Sequence, residues 1–198
     1  TSEKVRRALK TLVRNLTLVA AVIALGWVLW MLFVGASPRR EFETIDETLT
    51  GYTNYVEPYV GPAGTRPIKQ ELDYFLSFFD DPSQDFFEEN ARYIARLRYQ
   101  FENEEFESLQ EDEMEVEAMR YLVNRPPLSG ISRIKAQQPT GEEDFYVTVQ
   151  ARDGSEQRIL MRKVGDLWYM GNLGGVKSEL EKNIRSLPIW QEENEAVQ

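Results

Sequence analysis

The chain has 198 residues and a net charge of −10, and it lacks both cysteine and histidine. The absence of cysteine excludes disulfides and thiol chemistry, and the absence of histidine removes the commonest metal ligand and general base. The acidic balance disfavours nucleic acid, because binding to a phosphate backbone needs clustered Lys and Arg. We therefore expect no cofactor and no nucleic-acid partner.

Residues 1–15 form a short basic segment that we assign to the cytoplasm. The segment contains five basic residues and one acid, whereas only two basic residues closely follow residue 36. Short loops rich in Lys and Arg resist translocation, so this bias predicts a cytoplasmic amino terminus and a periplasmic carboxy-terminal domain at a bacterial inner membrane. The basic residues predicted to lie at the membrane surface are Arg6, Arg7, Lys10, Arg14, Arg39 and Arg40.

Residues 16–36, LTLVAAVIALGWVLWMLFVGA, contain no charged side chain over 21 positions. A helix of this length extends for about 31 Å, which matches the roughly 30 Å hydrocarbon core of a bilayer. The alternative is a cleaved signal peptide, whose apolar region is shorter, at about 7–15 residues. The run therefore predicts a transmembrane helix in a single-pass protein.

One face of this predicted helix has the spacing of a partner-binding surface. Small residues allow close approach between membrane helices, and tryptophan near the middle of a span is far from its usual place at the interface. We expect Trp27 to contact an integral membrane protein subunit, a lipid or a pigment, although a face exposed only to the lipid bilayer is the alternative. The face comprises Thr17, Ala20, Ala24, Trp27 and Met31.

Residues 37–66 are predicted to form a juxtamembrane amphipathic segment and a linker. Apolar residues recur at helical spacing from Arg40 to Tyr52, and two prolines and two glycines follow between Thr53 and Thr65. Such a pattern indicates a short helix at the membrane surface, followed by a loop. Three aromatic residues are candidates for contact with headgroups or a partner subunit, the alternative being a loop packed on its own domain. They are Tyr52, Tyr55 and Tyr59.

Residues 67–190 are predicted to form one α+β domain, with 191–198 as a polar tail. Helical spacing of apolar residues predicts three helices before Pro126, the second of them with Asp81 as its N-cap. Alternating residues and glycine turns then predict four strands in an antiparallel meander between Gly130 and Leu173. We expect the helices to pack on one face of this sheet, and a short helix to close the domain.

An acidic stretch runs from Glu102 to Glu117 within the predicted helical part. A carboxylate cluster is able to bind calcium, and paired carboxylates can hydrolyse glycosides, but the spacing is diagnostic of neither site. Charge runs usually form solvated surfaces. We therefore expect a solvated face or an acidic loop, and no metal site.

The stretch from Asp144 to Leu173, DFYVTVQARDGSEQRILMRKVGDLWYMGNL, resembles the hairpin end of nuclear transport factor 2-like (cystatin-like roll) domains. The resemblance implies a roll with a cone-shaped pocket. Bacterial members tethered by one amino-terminal span include assembly components of type IV secretion machines and other envelope scaffolds, which implies a nonenzymatic role. Enzymes on this roll often place His and Asp in the pocket, and this chain has no His.

Three functions are compatible with these features. The first, which we favour, is a noncatalytic accessory or scaffold subunit of a larger bacterial inner-membrane complex. It would dock through its transmembrane helix onto integral membrane protein subunits and bridge or cap neighbours with its external domain. The second is an envelope module that binds a ligand or lipid in a roll pocket. The third is an enzyme that uses carboxylates without histidine.

Overall fold

A computed structural model describes residues 42–99 and 106–195. The chain divides into two units between Arg40 and Glu41, and every described residue belongs to the second unit. Its elements are α1 (Ile45–Val56), α2 (Lys69–Leu76), α3 (Asp81–Arg98), α4 (Glu111–Leu122), β1 (Ile131–Pro139), β2 (Asp144–Ala151), β3 (Glu156–Val164), β4 (Leu167–Gly171), α5 (Lys177–Arg185) and α6 (Pro188–Glu195). Two short 3-10 helices are Glu57–Tyr59 and Asn172–Gly175.

The four strands form one antiparallel sheet in the order β1-β2-β3-β4. Between β2 and β3, Val147 pairs with Ile159 and Phe145 pairs with Met161. The hairpin turns place Gly154 and Gly165 at positive φ, 89° and 64°, where glycine has no steric penalty. The predicted α+β class and the antiparallel meander are confirmed.

The transmembrane part of the predicted fold class is corrected. Across residues 42–99 and 106–195, no helix is both long enough and apolar enough to cross a membrane. The longest of these helices, α3, has 18 residues, but it bears charged side chains such as Glu88 and Arg92. The predicted span over residues 16–36, its partner-binding face and all six basic residues predicted at the membrane surface lie outside the described residues.

Helix α1 lies within the segment 37–66 that the sequence predicts to be juxtamembrane. It begins with a capping box, in which Thr44 accepts from the backbone of Glu47 and Glu47 accepts from the backbone of Thr44. Its apolar face is buried in the domain core, where Leu49 and Tyr52 are almost completely enclosed. This helix therefore belongs to the folded domain, which already includes residues well before position 67.

The core lies between the helices and one face of the sheet. Side chains from all of the first four helices and from the central strands are fully buried there, and each such large apolar side chain stabilises the fold by about 1.5–3 kcal/mol. The largest of them are Tyr52, Phe75, Phe78, Phe79, Phe87, Ile94, Met119, Leu122, Leu128, Ile159 and Met161.

The end of the chain is helical further than the sequence predicts. Helix α6 runs to Glu195 and thus through most of the predicted polar tail, 191–198. Glu193 joins it to α3, because its carboxylate accepts from Arg92 Nη1 at 2.9 Å and from Tyr93 Oη at 2.6 Å. These polar contacts stabilise a helix that has few apolar residues of its own.

Candidate functional site

Glu117, in the middle of α4, is a buried carboxylate surrounded by three arginines. Its side chain is 1% exposed. Oε1 lies 3.2 Å from Nε of Arg66, Oε2 lies 2.9 Å from Nε of Arg98, and Nη1 of Arg120 lies 3.1 and 3.2 Å from the two oxygens. A buried charge is costly unless it is paired and hydrogen-bonded, and here both carboxylate oxygens have guanidinium partners.

The three arginines come from three different parts of the domain. Arg98 is the last residue of α3, where a cation interacts favourably with the helix dipole. Arg120 follows Glu117 by three residues and so lies on the same face of α4. Arg66 comes from the loop after the first 3-10 helix. That loop turns tightly at Gly64, where a Cβ atom would lie 2.3 Å from the carbonyl oxygen of Tyr59.

A surface pocket of about 300 Å³ opens beside this cluster. Asn124 shapes one side of it, since its Oδ1 accepts from the backbone N–H of Gly61 at 2.6 Å and its Nδ2 donates to the carbonyl of Arg120 at 2.8 Å. The pocket is lined by Tyr59, Gly61, Pro62, Arg98, Arg120, Tyr121, Asn124 and Arg125. Two of the guanidiniums that hold Glu117 thus also form the pocket wall.

The charges of the cluster do not balance. In the part of the chain that the structure describes, Glu117 is the only carboxylate within ion-pair distance of Arg66, Arg98 and Arg120. Among the described residues, three positive charges therefore share one negative charge, which leaves a surplus of two. The nearby Arg125 is matched separately by Glu179, at 3.2 Å on the surface.

The aromatic side chains of the pocket do not reduce this surplus at neutral pH. Burial raises the pKa of Tyr59 to about 12, with a further contribution from Glu71. Burial also raises the pKa of Tyr121, against the lowering effect of the Arg125 guanidinium that lies 4.4 Å above its ring. Both hydroxyls remain protonated and therefore neutral, and the Tyr59 hydroxyl already donates to the Glu71 carboxylate.

This arrangement suits binding rather than proton transfer. Arginine remains protonated throughout the physiological range, so Arg98 and Arg120 can hold an anion but cannot serve as general bases. The Glu117 carboxylate is enclosed, accepts hydrogen bonds from Arg120 and forms ion pairs with Arg66 and Arg98, which leaves it poorly placed to take a proton from a substrate.

The three tyrosines proposed as interface aromatics all pack within the domain, Tyr52 and Tyr59 buried and Tyr55 partly buried. Tyr52 is fully enclosed, and its hydroxyl donates to the carbonyl of Leu128 at 2.9 Å. Tyr55 is partly buried and donates to the carbonyl of Glu71 at 2.5 Å. Tyr59 is mostly buried but lines the arginine pocket, so it alone contributes to the candidate site.

Sequence reasoning missed the site because it grouped Glu117 with the acidic stretch from Glu102 and expected a solvated surface. Residues 102–105 of that stretch lie outside the described residues, whereas Glu117 is buried. One available signal was the position of Glu117, three residues after Met114 and four before Tyr121, on an apolar face of α4. As for the calcium alternative, the described residues include no group of three or more acidic side chains arranged to hold a metal ion.

Comparisons of the chain with protein-family models, with curated proteins and with solved structures find no match. The similarity to nuclear transport factor 2-like domains therefore stays a prediction. The chemistry of the arginine pocket is the basis for assigning a function.

Proposed function

We propose that the domain is a noncatalytic accessory module that binds an anionic ligand in the arginine pocket. The observation that supports this proposal is the surplus of two positive charges around Glu117, in a chain whose net charge is −10. Guanidinium groups form strong charge-assisted hydrogen bonds with carboxylates and phosphates, often through two parallel N–H donors.

The surplus charge has an energetic cost in the empty pocket. Arg66, Arg98 and Arg120 repel one another, and Glu117 offsets only part of that repulsion. Their side chains are 53%, 34% and 23% exposed, so solvent screens the repulsion incompletely while a ligand still has access. An anion in the pocket would remove the remaining repulsion and stabilise the folded chain.

The wider biological setting of this module remains a proposal from the sequence. Membership of a bacterial inner-membrane complex, with the domain in the periplasm, stays a prediction. The alternative of a ligand in the interior of a roll also stays a prediction, and fully buried side chains such as Phe79, Ile159 and Met161 occupy the centre of the space between helices and sheet. A ligand there would have to displace them.

Thermal unfolding of the 198-residue chain tests the proposal. We expect the melting temperature to rise saturably when inorganic phosphate or acetate replaces chloride at constant ionic strength, because a ligand that binds only the folded state stabilises it. Arg98→Gln should lose most of this rise. Arg133→Gln should keep it, since Arg133 is exposed on β1, away from the pocket.

The matched pair of variants separates a specific site from a general salt effect, because both remove one positive charge. If phosphate or acetate raised the melting temperature equally in Arg98→Gln, in Arg133→Gln and in the unchanged chain, binding at the pocket would be contradicted. If the melting temperature of the unchanged chain were no higher in phosphate or acetate than in chloride, the proposal as a whole would be contradicted.

A further inference from the structure

The charge surplus also predicts the kind of anion that the pocket binds, provided that the proposed function holds. A monoanion such as a carboxylate would leave one positive charge of the Arg66, Arg98 and Arg120 cluster uncompensated. A dianion would neutralise the cluster. In a partly buried site this difference is important, because an uncompensated charge is less well screened than on the open surface.

The hydrogen-bond donors that remain on the arginines point to the same conclusion. Arg98 contacts Glu117 through Nε and Arg120 donates to it through Nη1, whereas a guanidinium carries five N–H donors. These two residues therefore offer several N–H groups along one wall of the pocket. A phosphate monoester has three terminal oxygens that can accept from these groups, whereas a carboxylate has two.

The size and the remaining lining of the pocket favour an ester over bare phosphate. A volume of about 300 Å³ lies at the lower end of the range for small-molecule sites. Tyr59 and Pro62 add apolar surface to the lining, against which an organic substituent can pack, whereas the Tyr121 ring lies 4.4 Å from the Arg125 guanidinium. The Tyr121 hydroxyl keeps its proton at neutral pH and can donate to a phosphate oxygen, whereas the Tyr59 hydroxyl already donates to Glu71.

We infer that the arginine pocket binds a dianionic phosphate monoester with a small organic substituent. This group occurs in soluble phosphorylated compounds and also as the headgroup of phosphatidic acid. The proposal concerns the phosphate chemistry that these sources share, and the experiment distinguishes between the sources.

Calorimetric titration of the 198-residue chain with phenyl phosphate and phenyl sulfate at pH 8 tests the inference. The two probes have the same shape, but phenyl phosphate bears two negative charges and phenyl sulfate bears one. We expect phenyl phosphate to bind about tenfold more tightly or better, which corresponds to roughly one additional charge-assisted hydrogen bond. The preference should disappear in Arg98→Gln and persist in Arg133→Gln.

Arg98→Gln also removes a partner of Glu117 and can impair folding. Arg66→Gln is therefore a second variant, because Arg66 is 53% exposed and its loss leaves Glu117 with two arginines. This change should reduce the surplus positive charge of the cluster from two to one. The affinity for phenyl phosphate relative to phenyl sulfate should then fall by several fold, while the circular dichroism spectrum stays unchanged. An unchanged preference in folded Arg66→Gln would overturn the charge argument.

The possible results separate the two proposals. Equal affinity for phenyl phosphate and phenyl sulfate would overturn the dianion inference but leave an anion site in place. Failure of both probes, and also of inorganic phosphate and acetate, would overturn the proposed function as well. Sedimentation with phosphatidic acid vesicles that phenyl phosphate competes away would support a lipid headgroup as the source, whereas binding of phenyl phosphate without vesicle binding would support a soluble ester.

Discussion

Two buried carboxylates in this domain, Asp80 and Glu117, have opposite charge environments. Asp80 pairs with a single arginine, Arg162, through Nη1 at 2.7 Å, and Arg162 also contacts Asp144 at 3.2 Å. Two acids therefore share one cation. Around Glu117, three cations share one acid. The comparison shows that burial of a carboxylate alone does not mark a binding site, and that the balance of its partners is the informative feature.

The surroundings of Asp80 explain why that carboxylate is structural. It is the N-cap of α3, where it accepts from the backbone N–H and the hydroxyl of Ser83. Ser83 Oγ in turn accepts from the backbone N–H of Leu173 at 2.9 Å. Gly171 packs so closely that a Cβ atom there would lie 3.3 Å from Asp80 Oδ2. These contacts join α3 to the end of β4.

The largest expected effect is that of Glu117→Gln. This change keeps the side-chain shape but leaves three guanidiniums facing one another without a carboxylate, and removing one partner of a buried ionic cluster typically costs about 3–5 kcal/mol. Urea unfolding should show this loss in the free energy of unfolding. Inorganic phosphate should restore part of the lost free energy of unfolding. A loss below about 1 kcal/mol would mean that the three arginines do not need the Glu117 carboxylate to offset their charge.

Asp80→Ala should have the next largest effect, and it should differ in kind. Loss of the N-cap and of the charged hydrogen bond to Arg162 is expected to cost about 2–4 kcal/mol. Anion binding should be unchanged, because Asp80 lies outside the pocket lining. A loss of phosphate binding in a folded Asp80→Ala variant would remove the distinction between the two carboxylates.

Tyr52→Phe tests a buried polar group without charge. The change deletes the hydroxyl that donates to the carbonyl of Leu128 and retains the ring in the core. We expect a cost of about 1 kcal/mol in urea unfolding, as is typical for one neutral hydrogen bond. A loss of unfolding free energy as large as that of Glu117→Gln would show that a buried neutral hydrogen bond matters as much as the buried charges.

The last effect, which is absent at neutral pH and develops only in alkali, is a change in the pH dependence of stability caused by Tyr59→Phe. The pKa of Tyr59 is about 12 in the folded chain and near 10 when unfolded, so the unfolded state loses its proton first as the pH rises. Its contribution to stability is complete below pH 10 and is lost as the pH approaches 12. Urea midpoints measured over this interval should fall less steeply in Tyr59→Phe, and parallel curves would contradict burial of this hydroxyl.

Local patterns in the sequence were sufficient to predict the sheet. The turns at Asp153-Gly154 and Gly165-Asp166 fix short connections between alternating strands, and short connections permit only an antiparallel order. The start of α3 was predicted one residue late, at Asp81. Asp80 is the actual N-cap, and its buried pairing with Arg162, 82 positions away, is a tertiary contact that the local sequence does not contain.

The segment 37–66 shows a different limit. Its amphipathic spacing correctly predicts a helix, since α1 spans Ile45–Val56. Amphipathic spacing does not specify whether the apolar face meets a membrane or a protein core, and the structure buries that face in the domain. Most of the arginine site could not be predicted for a related reason, because Arg66 and Arg98 meet Glu117 only after the chain has folded, whereas Arg120 is a local partner three residues further along α4.

The central claim is that surplus positive charge around Glu117 binds an anion, and nitrogen-15 NMR of the arginine side chains tests it most directly. Arg98 and Arg162 are a matched pair, since their side chains are 34% and 35% exposed and each contacts a buried carboxylate. On titration of the 198-residue chain with inorganic phosphate, we expect the Nε resonances of Arg98 and Arg120 to shift saturably while that of Arg162 stays in place. Equal shifts for Arg98 and Arg162, or no saturable shift at Arg98, would contradict the account.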